Sequence, residues 1–211
     1  MRKVLFAAAA ASLLAGPALA QQGGAPAAPA APAQAPAGAY VLDTAHTSAT
    51  WKVLHRGLSW YTARFTGISI DLDFNPADVT KSKVTATIDA KSVETDYAKT
   101  SGLPTPKDFN AEIANQFLKA ADHPKITFVS KSVAKTGDKT GKMTGDLTFL
   151  GVTKPVTLDV TYVGNAPDPR TQKHKVGFSA VGSFKRSDFG MGAGPVGDEA
   201  KIEINAEFTQ K

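Results

Sequence analysis

The chain has 211 residues, no cysteine, and 24 Lys and Arg against 19 Asp and Glu, for a formal charge of +5. The missing cysteine excludes a disulfide framework, a thiol nucleophile and a cysteine-linked lipid anchor, so stability has to come from burial. The basic residues are interleaved with acidic and polar ones, as in KSKVTATIDAKSVETD, and form no run with aromatics that could stack on bases. This argues against a nucleic-acid partner.

The first segment, MRKVLFAAAAASLLAGPALA, has a basic start at Arg2 and Lys3, an apolar run, a Gly16-Pro17 break and small residues at Ala18 and Ala20. Residues 1–20 are therefore expected to be an export signal cleaved after Ala20. The apolar run falls short of the roughly 18 residues a spanning helix needs. Residues 21–39 are almost entirely Ala, Pro, Gly and Gln. With nothing to bury, they are expected to form a disordered, extended linker. Residues 40–211 fit one domain.

Within that domain the apolar residues alternate. TSATWKVLHR places Trp51, Val53 and His55 on one face and Thr50, Lys52 and Leu54 on the other. GISIDLDF turns Ile68, Ile70, Leu72 and Phe74 inward, and Asn75-Pro76 closes it. The same period recurs in KSKVTATIDA, in KITFVSKSV with Phe128, in KMTGDLTFLG with Leu147 and Phe149, and in KPVTLDVTYV with Leu158. It returns in KVGFSAVGSF with Phe178 and in AKIEINAEF. About eight strands with one dry face each, separated by turn signals, predict an antiparallel sheet.

One stretch breaks the period. TPKDFNAEIANQFLKAADHP spaces Phe109, Ile113 and Phe117 by four, the stripe of an amphipathic helix. Thr105 with Asp108 suits a capping box, Pro106 a first helical position, and Pro124 a stop. Eight strands must also dispose of their edges, and closure into a barrel does so fully. The expected fold is all-β, an antiparallel lipocalin-like barrel of about eight strands with one helix lying over an open end or side.

No motif names a reaction. GAGPVG, residues 192–197, fits a phosphate-cradling pattern, but a strand rather than a helix follows it. The four histidines have no metal-ligand spacing, and no serine sits in a nucleophile elbow. His55 could reach a ligand or be satisfied by backbone, His123 before Pro124 suits a cap, and Arg186 beside Ser187-Asp188 reads as an ion pair in a turn. No catalytic residue, metal or cofactor is assigned.

Four segments in order, YVLDTAHTSATWKVLH, GVTKPVTLDVTY, VGFSAVGSFKRSDFGM and VGDEAKIEINAEF, resemble the YceI-like proteins. The Asp43-x-x-His46 opening and the Arg186-Ser-Asp-Phe-Gly190 turn carry much of that resemblance. It implies a lipocalin-like barrel around an apolar channel, in exported, periplasmic proteins implicated in polyisoprenoid binding. The expected role is thus a non-catalytic carrier of an isoprenoid or other long-chain lipid, a polyprenyl chain or a quinone tail. The candidate ligand-binding residues are Trp51, Val53, His55, Ile113, Phe117, Phe128, Leu147, Phe149, Leu158 and Phe178. Transient membrane contact and a homodimer stay open. So do a solidly packed interaction module and, with Arg186, Asp188 or His55 as polar actors, a lipid-modifying enzyme.

Overall fold

The computed structural model describes residues 34–97, 108–192 and 194–211. The leader, most of the linker and the Thr105 capping position lie outside the described residues.

Among the described residues, ten antiparallel strands follow in chain order. They are β1 Gly38–His55, β2 Ser59–Phe65, β3 Ile68–Phe74, β4 Lys83–Asp89, β5 Val93–Glu94, β6 Lys125–Lys135, β7 Thr140–Phe149, β8 Val152–Pro167, β9 His174–Lys185 and β10 Val196–Gln210. Eight of them close a ring, β1–β3–β4–β6–β7–β8–β9–β10 and back to β1. β2 and β5 extend the sheet beyond the ring from one half of β1. The expected eight-stranded barrel is the fold. β2 and β5 were not among the expected strands, and β1 starts at Gly38, inside the stretch read as linker.

The long β1 organises the closure. Its first residues, Gly38 to Val41, pair with β3, and Ala49 to His55 pair with β2, while both halves pair with β10 on the other side. Between the halves, Thr44, Ala45, His46 and Thr47 stand where β10 has only Ala206. An odd number of extra residues reverses which side chains face inward. Tyr40 and Leu42 pack into the interior before the bulge, and Ala49 and Val53 after it. Asp43 builds this bulge. Its Oδ1 accepts the Ala45 N–H at 3.1 Å, its carbonyl accepts the Thr47 hydroxyl at 2.7 Å, and its Oδ2 lies 3.0 Å from His46 Nδ1. The Asp43-x-x-His46 motif is therefore a device of register.

The β7–β8 hairpin turns on Leu150 and Gly151, both at positive φ, the two-residue connection whose twist matches that of the strands. Helix α1, Phe109–Glu112, starts at Asp108, whose carboxylate accepts the Ala111 N–H at 2.9 Å. The observed cap is thus Asp108 itself. The helix then widens over Ile113–Phe117, where Leu118 N–H reaches Ile113 O at 2.9 Å. His123 caps nothing with its ring, which lies against Gly151.

Candidate ligand-binding site

The inward side chains do not fill the barrel. They line a cavity of about 1050 Å³, at the upper end of the roughly 300–1,000 Å³ usual for small-molecule sites. Its wall is apolar along most of its length. β7 contributes Met143, Leu147 and Phe149; β8 contributes Val156, Leu158, Val160 and Tyr162; β9 contributes Phe178, Ala180 and Phe184; β10 contributes Ala200, Ile202, Ile204, Ala206 and Phe208. Two glycines leave room for large neighbours. A Cβ at Gly145 would collide with the Phe128 ring, and one at Gly182 would stand 2.6 Å from Leu158 Cδ2.

All ten residues selected from the sequence lie on this wall: Trp51, Val53, His55, Ile113, Phe117, Phe128, Leu147, Phe149, Leu158 and Phe178. Val53, Ile113, Phe128, Leu147, Phe149 and Leu158 are buried, Trp51 and Phe178 half-buried. His55 is exposed at the rim, and Phe117 is 43% exposed although it also lines the cavity. The stripe of Phe109, Ile113 and Phe117 does face the cavity, as a wall where β1 has turned from β3 to β2. Asn110 holds this helix down, its Oδ1 accepting from Thr95 N at 2.9 Å and Thr95 Oγ1 at 2.8 Å.

Sequence reasoning missed the wall of β2, where Tyr61 and Phe65 line the cavity beside Trp51. The Trp51 and Tyr61 rings sit 6.1 Å apart, and Tyr61 is 6.5 Å from Phe109. Trp51 Nε1 is buried without a hydrogen-bond partner. Tyr61 Oη is likewise buried without a hydrogen-bond partner. Burial pushes the Tyr61 phenol up.

Two polar clusters frame the barrel, one near each end. At the Tyr40 end, Lys175 Nζ lies 2.6 Å from Asp43 Oδ2, 3.6 Å from Glu207 Oε2 and 3.9 Å from Asp168 Oδ2. The hydrogen bond from Lys175, with a further contribution from His46, holds the Asp43 carboxyl well below the usual range, and Asp43 raises Lys175 in return. Asp43, His46 and Glu207 are close enough to suggest a metal site. The Lys175 ammonium already supplies the positive charge there.

At the opposite end, Arg186 to Phe189 form a single turn closed by Gly190 at φ 76°. Phe189 is the buried plug of this turn, its ring 5.7 Å from Phe149 and 5.1 Å from Phe184. Ser187 donates its N–H and its hydroxyl to the two Asp198 oxygens, each at 2.8 Å, which holds that carboxyl below its ordinary value. The turn is as expected, but the expected ion pair with Asp188 is not what holds Arg186. Its Nε donates to Gly197 O at 3.0 Å, Nη2 to Val196 O at 3.2 Å, and Nη1 approaches Met191 Sδ at 3.2 Å. Arg186 also lines the cavity, a placement that alternation could not reveal because the residue follows the end of a strand.

Comparison with known proteins agrees with this architecture. The model of the YceI-like domain matches residues 40–208. The UPF0312 protein of Shewanella putrefaciens is 34% identical over 185 residues, covering 86% of this chain and 92% of the relative. The crystal structure of Burkholderia cenocepacia BcnA superposes with a TM-score of 0.66 at 25% identity, over 79% of this chain and 98% of that one. A barrel from Saccharophagus degradans, described as a polyisoprenoid binding domain implicated in plant cell wall breakdown, shares the fold at a TM-score of 0.58. Its identity is 13%, over 82% of this chain and 98% of that one. The chain belongs to the YceI-like family.

Proposed function

We propose that the protein is a non-catalytic carrier, exported to the periplasm, that holds a long apolar isoprenoid-type lipid in its barrel. A polyprenyl chain and a quinone tail both suit the cavity. The observation that carries this reading is the cavity of about 1050 Å³ walled by alternate residues of the ring. A barrel designed only as an interaction module would be filled by its own side chains, as interiors normally are. The apolar lining of such a space can make dispersion contacts with a flexible tail that its own side chains do not make with one another. Each buried methylene contributes about 0.8 kcal/mol, so a few isoprene units offset much of the roughly 4–15 kcal/mol cost of association. The polyisoprenoid-binding description of the Saccharophagus barrel supports the same ligand class.

No catalytic group is needed for such a role. Loading and unloading involve passing contact with a membrane. The test is titration of delipidated protein with a polyprenol. One tail per barrel is the expected result, and absence of uptake at any accessible concentration overturns the reading.

A further inference from the structure

Most charged side chains on the cavity lining have access to water: Lys135, Asp138 and Lys139 are exposed and Glu112 half-buried. Arg186 is different, at 8% exposure. A charge taken out of water is normally offset by an opposite charge, because neutral hydrogen bonds recover only part of its lost solvation. Among the described residues no carboxylate lies within ion-pair distance of Arg186. Its partners are two carbonyls and a thioether, all uncharged. The opposing charge that acts on it is that of Asp198, whose two oxygens are engaged by Ser187.

The three contacts use three of the five N–H donors of a guanidinium. Two remain, one on each terminal nitrogen, on a side chain that forms part of the wall of an apolar cavity. A carboxylate or a phosphate presents the paired oxygens that this fork accepts, and the bond is stronger for being made away from water. We propose that Arg186 binds the anionic headgroup, carboxylate or phosphate, of an amphiphile whose tail occupies the barrel. This deepens the carrier reading and rests on it. The tail then runs from Arg186 past Phe184 and Leu158 toward Tyr162, along residues that line the same cavity. A purely structural role, in which Arg186 only clips the β9–β10 connection to Val196 and Gly197, would leave affinity indifferent to ligand charge.

Delipidated wild type and Arg186→Gln are titrated with two matched pairs, geranylgeranyl monophosphate against geranylgeraniol and oleate against oleyl alcohol. Wild type should bind at least one anion about tenfold more tightly than its alcohol, the scale of a charge-assisted hydrogen bond. The preferred pair distinguishes a prenyl phosphate from a fatty acid. In Arg186→Gln the preference should vanish while the alcohols bind within about threefold of wild type. Arg186→Lys, which keeps the charge without the fork, should retain part of the preference and serves if the glutamine variant does not fold. No preference in wild type, or one that survives in Arg186→Gln, overturns the assignment. Uptake of the alcohols without anion preference sinks this inference alone, whereas uptake of neither class sinks the carrier reading with it.

Discussion

At the Tyr40 end the sheet closes on itself, and at the helix end it parts. Where β1 pairs with both β3 and β10, rings crowd the wall: Phe74 lies 6.2 Å from Tyr40, 6.0 Å from Tyr162 and 5.3 Å from Phe178. Tyr40 is fully buried, its hydroxyl donates to Pro36 O at 2.7 Å, and Ala35 is tucked into the same cluster. Where β1 leaves β3 for β2, a helical segment from Phe109 to Phe117 supplies wall, and Phe117 is 43% exposed. Regular pairing permits dense packing, whereas the gap is closed by a piece that buries less and is held by few bonds. The first arrangement suits stability and the second suits passage of a ligand.

Truncation should expose this contrast. Phe74→Ala removes the centre of the ring cluster and should cost about 3–5 kcal/mol by chemical denaturation. An effect below about 1 kcal/mol would mean the cluster is looser than its geometry. Between the two ends, Ala86 packs against both core clusters and lines the cavity. Ala86→Trp should narrow this waist and weaken polyprenol binding by more than about tenfold, with overpacking costing about 1–3 kcal/mol of stability. Unchanged uptake would show that the tail does not pass Ala86.

Smaller effects should come from the rim. Asp43→Asn loses the charged partner of Lys175 and weakens the bulge, at a cost of about 1–2 kcal/mol after allowance for solvent screening. Because the folded protein lowers the Asp43 pKa, the wild-type advantage is complete above the unfolded carboxylate value near 4 and fades as pH falls through the folded one. Melting curves of both proteins from about pH 7 to pH 2 check this; an advantage that grows on acidification would contradict it. Phe117→Ala, on a half-open wall, should cost less than about 1 kcal/mol yet speed lipid release in stopped-flow exchange. A loss as large as that of Phe74→Ala would erase the contrast between the ends.

The fold was legible where one face of a strand is dry along its whole length. Ile68 to Phe74 and Val156 to Tyr162 show the alternation directly, and so these strands and their wall residues followed from period, while closure of the ring was expected from the need to dispose of strand edges. β1 hid its first half because the bulge at Asp43–Ser48 reverses the parity, so no single alternation spans Tyr40 and Trp51. β2 hid because Trp60 points outward, 44% exposed with Lys201 Nζ 4.2 Å from its ring, which masks the inward series of Tyr61, Ala63 and Phe65. Arg186 was seen as a polar group in a turn, but which way a turn residue points depends on long-range packing, here of Phe189 against Phe149 and Phe184.

The central claim is that this interior holds a lipid tail, and the most direct measurement is native mass spectrometry of the full chain purified gently from its own cell envelope, followed by extraction and mass analysis of what is released. The account predicts a one-to-one complex with a long-chain isoprenoid or similar lipid. Protein that arrives at its bare polypeptide mass in repeated preparations, and takes up no prenyl compound afterwards, would contradict it.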